Sequence, residues 1–267
     1  MRKYVTEFIG TFGLVFTVGC AIFSGSSLAP LAIGAALMVL VYAGGHISGG
    51  HYNPAVTLGV FLRGKIPLGE AGPYWAAQLI AAFLAAWLAK FTAHPILVHT
   101  LSTSGAHAIL AAMLAEFIFT FALVYVVLNV ATSKDQPGNQ FFGLAIGFTV
   151  ATGAFAVGNI SGAAFNPAVA FGAMLMGVLN WGNFYIYLIG NLLGAAVAAI
   201  AFAYLNPDDV LEGPLARRPG LAAPTAPTVT AAATAPATPA APATPAGPTA
   251  TQAGPPADGA AGGTPTA

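Results

Sequence analysis

Two Asn-Pro-Ala triplets, Asn53-Pro54-Ala55 and Asn166-Pro167-Ala168, carry the strongest chemical signal in this 267-residue chain. Asparagine is a preferred helix N-cap, and proline suits the first helical position. Each triplet therefore predicts a helix start. A capping asparagine spends its side-chain oxygen on helix N–H groups and keeps two amide donors. The helix end behind it adds about half a positive charge. Two such ends, facing each other, would orient a small polar acceptor such as water and repel cations, hydronium included. A water that accepts a bond from each asparagine is not free to accept a proton from its neighbour, so a proton wire would break there.

The residues before each triplet extend the pattern. Ile-Ser precedes both, followed by Gly49-Gly50-His51-Tyr52 in one case and Gly162-Ala163-Ala164-Phe165 in the other. Small residues let extended backbone run close to an axis, where its carbonyls form a ladder of acceptors. Two carboxylates, Glu7 and Glu116, lie inside otherwise apolar stretches. A charge at membrane depth is costly and needs a partner. The N–H groups of these irregular loops are the expected donors, which leaves the loop carbonyls free. His51 is expected beside the same axis, and His46 as a brace of its loop. His94, His99 and His107 are too irregularly spaced for a metal site. Cys20 is the sole cysteine, so neither an intrachain disulfide nor a cysteine-built metal site is available. No metal, cofactor or catalytic residue is expected.

The elements that must position these residues are apolar. Hydrophobic residues make up 57% of the chain and charged residues only 6%, with a formal net charge of zero. Soluble domains carry about 25% charged residues, which argues against a cytosolic enzyme. The lack of a basic footprint argues against nucleic-acid binding. No Asp, Glu, Lys or Arg occurs from Phe8 to Leu62 or from Gln136 to Pro207. Runs of about 20 apolar residues suit a bilayer. They place spans at about 4–24, 29–47, 70–92, 107–130, 140–158 and 181–205. The pieces at about 54–63 and 167–178 are too short to cross and read as re-entrant half-helices.

These elements repeat. Asn166 follows Asn53 by 113 residues (166 − 53), and the same offset pairs Tyr74 with Tyr187 and Gln78 with Asn191. Thr6-Glu7-Phe8-Ile9 likewise matches Ala115-Glu116-Phe117-Ile118. Three spans per half is an odd number, so the second half is inverted relative to the first. The fold class expected is an all-α membrane protein of six transmembrane helices plus two half-helices. The channel-like domain covers 1–206, with halves of about 1–106 and 107–206. A cytoplasmic tail covers 207–267, and from about Pro219 it is Ala, Pro, Thr and Gly with one charge, Asp258, a composition that predicts disorder. Arg2, Lys3, Arg63, Lys65, Lys134, Arg217 and Arg218 fall on one side of this topology and Lys90 on the other, which makes both termini cytoplasmic. Gly10, Gly13, Gly190 and Gly194 read as close helix-packing positions.

Residues 4–205 resemble the aquaporin, or major intrinsic protein, family through the paired Asn-Pro-Ala motifs and their repeat setting. The resemblance implies a pore in each monomer, a homotetramer in the lipid bilayer of the cell membrane, and water and small neutral solutes as permeants. It also implies a four-residue selectivity filter, which falls here at Ile33, Ala154, Ala163 and Val169. Family members normally carry Arg at the position of Val169. The filter here is therefore wider, drier and uncharged, like the Val-containing filters of some plant vacuolar members that pass urea, ammonia or peroxide. Glycerol-transporting members have Asp at the position of Ala170 and carry insertions absent here, while Leu188 stands where water-selective members have Trp. A facilitator mainly for glycerol, urea, ammonia or hydrogen peroxide is thus the runner-up. An ion-coupled secondary transporter needs midplane ionisable groups beyond Glu7 and Glu116. An intramembrane enzyme needs a catalytic pair that the sequence does not offer.

Overall fold

The computed structural model describes residues 1–93, 100–209 and 213–216. His94, His99 and the Ala/Pro/Thr-rich stretch from Pro219 lie outside the described residues. Among the described residues, eight α-helices follow in order: α1 Arg2–Phe23, α2 Ala29–Ser48, α3 Pro54–Leu62, α4 Leu68–Ala93, α5 Ala106–Val127, α6 Phe142–Ser161, α7 Pro167–Leu175 and α8 Phe184–Leu205. Six of them are long and apolar enough to cross a membrane, while α3 and α7 have 9 residues each. At 1.5 Å per residue, nine residues span only about 14 Å, half a bilayer core. The fold is all-helical, as the apolar runs predict.

The ends differ in detail from the expected spans. A π-helical turn, Leu128–Thr132, carries α5 further than the apolar pattern suggests. A 3₁₀ turn, Trp181–Asn183, leads into α8. The segment after α7 does not continue as helix. There the Leu101 N–H donates to Val178 O (2.8 Å) and the Asn180 N–H to Leu101 O (3.2 Å), pinning the α4–α5 connection beside α7.

The molecule is packed for lipid. Its buried helix faces are largely alanine: Ala81, Ala82, Ala85, Ala86 and Ala89 on α4, and Ala195, Ala198 and Ala199 on α8. Its large apolar side chains, such as Trp87, Phe91 and Tyr204, are exposed. Lipid offers no hydrophobic drive between helices, so small residues that let backbones approach do the packing. α1 packs on α4, α5 on α8, and α2 on α6. Gly34 and Gly147, themselves 113 residues apart, meet each other where α2 crosses α6. A Cβ on Gly34 would sit 2.6 Å from the Gly147 carbonyl, and one on Gly147 would meet the Gly34 carbonyl. Repeat mates that touch each other lie on a two-fold axis, so this contact marks the axis relating the halves. Gly190 and Gly194 are also close-approach sites, with a Cβ on Gly194 falling 2.6 Å from Phe117 O. Gly13 is not, since a Cβ there meets Leu40 only at 3.4 Å.

One polar cluster breaks the symmetry. Arg63, at the C-cap of α3, is 3% exposed. It donates to Asp209 O (2.7 Å), Asp209 Oδ1 (2.9 Å), Thr132 Oγ1 (3.1 Å) and Thr132 O (3.2 Å). The guanidinium also lies over the Phe202 ring, 5.0 Å from its centroid. Asp209 accepts in turn from Ser133 Oγ (2.7 Å) and from the Lys134 N–H. The ion pair thus ties the end of a half-helix to the chain after α8. Burial alone would push the Asp209 carboxyl up, but the bonds from Ser133 and Lys134, with Arg63 beside it, hold it below its ordinary value. A lowered carboxyl stabilises the fold at pH above the unfolded value of about 3.9, and that contribution is lost as pH falls through the folded value. Asp209→Ala is expected to destabilise toward the lower end of the about 3–5 kcal/mol typical of a broken buried pair, because Arg63 keeps its carbonyl partners. In thermal melts the gap between wild type and variant should be full at neutral pH and close below pH of about 4. A gap that is unchanged on acidification would dismiss the ion pair as its source.

Candidate functional site

The two half-helices begin at Asn53 and Asn166, both in extended backbone. Asn53 Oδ1 accepts from the Ala55 N–H (2.8 Å) and the Val56 N–H (3.4 Å). Asn166 Oδ1 accepts from the Ala168 N–H (2.9 Å) and the Val169 N–H (3.4 Å). With the oxygens so engaged, the amide nitrogens point outward from each helix, and each crosses to the other half. Asn53 Nδ2 donates to Phe165 O and Asn166 Nδ2 donates to Tyr52 O, both at 2.9 Å. Tyr52 and Phe165 are repeat mates, so the exchange is reciprocal about the same two-fold axis. It fixes the two helix N-termini against each other. One N–H of each carboxamide is spent on this strap. One remains for a permeant, against the two that a capping asparagine alone would offer.

The loops that supply those carbonyls are held from behind. Tyr52, Ala163 and Phe165 take positive φ (47°, 51° and 48°), as do Gly49, Gly50 and Gly162. Left-handed backbone costs a residue with a Cβ about 1–2 kcal/mol, so the surroundings must impose it. The carboxylates do so. Glu7 Oε1 accepts from Ser48 Oγ (2.7 Å) and the His51 N–H (2.9 Å), and Oε2 from the Tyr52 N–H (2.7 Å) and Gln78 Nε2 (2.9 Å). Glu116 Oε1 accepts from Ser161 Oγ (2.7 Å) and the Ala164 N–H (3.0 Å), and Oε2 from the Phe165 N–H (2.8 Å). Both carboxylates are fully buried. Tyr74 and Tyr187 close the frames by donating to Ser48 O (2.7 Å) and Ser161 O (2.6 Å). The tyrosine pair that obeys the repeat offset thus does the same job twice.

The halves differ in what surrounds the frames. In the first, His51 Nδ1 lies 3.1 Å from Thr57 Oγ1, which also accepts from Gln78 Nε2 (3.0 Å). In the second, the equivalent positions are Ala164, Ala170 and Asn191. The shorter Asn191 accepts from Thr120 Oγ1 (3.0 Å), and its Nδ2 finds no hydrogen-bond partner among the described residues. Thr57 was not singled out in the sequence. Its position, four residues past Asn53 and facing α4, was the available clue.

A cavity of ≈ 440 Å³ runs along this meeting point. Asn53, Asn166, Gly50, His51, Gly162 and Ala164 line it, and so do Ile33, Ala154, Ala163 and Val169. All four positions that the resemblance assigns to the filter thus face the same cavity. Among the described residues, no Asp, Glu, Lys or Arg lines the cavity. Gly49, Tyr52 and Phe165 are not on the wall. The Tyr52 ring packs against Gly10 and Gly44, with its hydroxyl donating to Leu40 O (3.0 Å), and the Phe165 ring packs against Phe119 and Gly153. Their carbonyls serve the opposite asparagine. Pro54, Ala55, Pro167 and Ala168 are buried in the first turns of α3 and α7. His46 is exposed at the end of α2 and His107 at the start of α5.

Comparison with known proteins gives one family. Residues 1–202 match the family described as major intrinsic protein. The chain is 38% identical to aquaporin TIP1-2 of Zea mays over 216 residues, 75% of this chain and 84% of that protein. It is 36% identical to aquaporin-4 of Mus musculus over 218 residues, 76% of this chain and 67% of that protein. Among solved structures it resembles the aquaglyceroporin from Plasmodium falciparum with a TM-score of 0.64 at 23% identity, covering 75% of this chain and 94% of that one.

Proposed function

The chain belongs to the major intrinsic protein family, and on that premise we propose how its residues share the work of a passive channel for water and small solutes. It is a multi-pass membrane protein. Asn53 and Asn166 orient permeant at the meeting of the half-helices and exclude protons. The N–H that each carboxamide retains is directed to the permeant, while the dipoles of α3 and α7 oppose cations. Ile33, Ala154, Ala163 and Val169 form the selectivity filter. Glu7 and Glu116 hold the two loops in the conformation that this requires.

The observation that carries the reading is the uncharged wall. Apolar side chains occupy all four filter positions, and no ionic group lines the cavity among the described residues. A filter without ionic groups sets no charge barrier to neutral solutes, and the small Ala154 and Ala163 side chains leave room for solutes larger than water. Water and neutral solutes such as urea, glycerol, ammonia and hydrogen peroxide are therefore the permeants. A channel mainly for the solutes is the second reading, favoured by the small side chains of Ala154 and Ala163. The protein works as a homotetramer in the cell membrane with both termini cytoplasmic, residues 1–206 forming the channel and 207–267 a cytoplasmic tail. Its function is conduction, not catalysis.

Stopped-flow light scattering on proteoliposomes tests this. Vesicles shrunk by an impermeant osmolyte should shrink fast, and vesicles challenged with urea should shrink and then re-swell fast. Val169→Arg should slow urea entry by about tenfold, equivalent to ~1.4 kcal/mol of barrier. Water flux should fall by much less. Equal loss of both would remove Val169 from the filter.

A further inference from the structure

Lys90 is the one Lys or Arg that the topology puts at the opposite end of the membrane from the other seven. It stands near the C-terminus of α4, three residues before Ala93. Phe83, Trp87, Lys90 and Phe91 recur at helical spacing along one face of α4. Together with Leu175 of α7 they line a groove of ≈ 490 Å³ on the outer surface of the bundle. Phe83, Trp87 and Phe91 are 52%, 66% and 63% exposed, and the last two rings stack 6.0 Å apart. This groove is separate from the cavity between the half-helices, with which it shares no lining residue.

The surroundings of this groove are hydrocarbon, because α4 spans the bilayer. Lys90 lies about 4.5 Å from the helix end at 1.5 Å per residue, which puts its ammonium at headgroup level. Trp87 and Phe83 descend from it by one and two turns, along the path of an acyl chain. Among the described residues the ammonium makes a single bond of 3.5 Å, to Leu175 O at the end of α7. It has three donors. Two are therefore available to an anion at the interface, and the rings below offer apolar walls but no counter-charge.

We propose that this groove holds an acidic phospholipid of the leaflet on the Lys90 side, its phosphate against the Lys90 ammonium and an acyl chain along Phe83 and Trp87. The argument for a lipid rather than a second copy of the chain is charge. The groove has one cation at headgroup height and no acid among its lining residues, and lipid phosphates lie at that height. An isolated cation near a membrane surface attracts acidic lipid by about 1 kcal/mol, or about fivefold.

Native mass spectrometry on the full chain, offered equal amounts of phosphatidylglycerol and phosphatidylcholine, tests this. The wild-type protein should retain phosphatidylglycerol over phosphatidylcholine. Lys90→Gln should lower that preference about fivefold, Lys90→Arg should keep it, and neither should move the thermal midpoint measured without added lipid. Trp87→Leu should lower retention of both lipids. An unchanged preference in Lys90→Gln would overturn the proposal. So would an equal loss of preference on Lys65→Gln at the opposite membrane end, or a wild-type protein with no preference.

Discussion

Glu7→Ala is expected to abolish recoverable, conducting protein. The carboxylate accepts four hydrogen bonds, two from backbone N–H groups of the loop before Asn53 and two from Ser48 and Gln78. Bonds to a charged group contribute about 1.5–3 kcal/mol each, and a buried donor left without a partner costs about 1–3 kcal/mol. Even with strong non-additivity, the loss is comparable to the 5–15 kcal/mol of a whole domain. Ser48 and Gln78 can turn to other partners. The His51 and Tyr52 N–H groups cannot, because the backbone fixes their direction.

Glu116→Ala should be severe but milder, because Glu116 accepts close bonds from Ser161, Ala164 and Phe165, and only a weaker contact from the shorter Asn191 stands in place of the Gln78 bond. Amide replacements refine the comparison. An amide nitrogen at Oε1 of either residue can be met by the serine hydroxyl turned to accept, so Gln leaves only one loop N–H orphaned. The expected order of thermal midpoint and of water flux is wild type, Glu116→Gln, Glu7→Gln, Glu116→Ala, Glu7→Ala. Size-exclusion profiles, melts and stopped-flow traces on the five proteins check it. Wild-type flux in Glu7→Ala would show that the loop holds its shape without the carboxylate.

Much of this architecture is legible in the chain itself. The absence of charge from Phe8 to Leu62 and from Gln136 to Pro207 points to a lipid environment, which allows helices or closed barrels, and apolar runs of about 20 residues select helices. The 113-residue offset makes the halves equivalent, and an odd number of spans inverts one of them. The parts that stayed hidden share a physical cause. The bonds from Asn53 to Phe165 O and from Asn166 to Tyr52 O end on main-chain carbonyls, which every residue has and no residue type marks. The same holds for the anchoring of Arg63 on Asp209 O and Thr132 O. In the sequence Arg63 reads only as a marker of one membrane face. Gly34 and Gly147 obey the repeat offset, yet one glycine among 32 is not conspicuous until its mate is found against it.

Gly10→Ala should slow conduction at least about tenfold, equivalent to ~1.4 kcal/mol of barrier, although Gly10 does not line the cavity. A Cβ at Gly10 would overlap the Tyr52 ring, and one at Gly44 would overlap the Tyr52 hydroxyl while sitting 2.6 Å from Thr6 Cγ2. The ring is thus clasped between α1 and α2, and its hydroxyl donates to Leu40 O. It cannot move aside alone, because Tyr52 also carries the carbonyl that accepts from Asn166 Nδ2. A methyl group on a remote helix is therefore transmitted to the meeting of the half-helices. Overpacking of this kind costs about 1–3 kcal/mol. Flux should also fall, by about tenfold for each ~1.4 kcal/mol that the displaced Asn166 donor adds to the permeation barrier. Gly13→Ala is the internal control. Its Cβ meets Leu40 at an ordinary 3.4 Å, and alanine favours the helix by about 0.5–1 kcal/mol. That variant should conduct normally and melt no lower than wild type. Adding Tyr52→Leu to Gly10→Ala removes the ring edge that the methyl meets, and should restore part of the flux. Equal flux in Gly10→Ala and Gly13→Ala would mean that the Tyr52 clasp does not set the position of Asn166. A double variant no better than Gly10→Ala alone would mean that the added methyl acts by some route other than the ring.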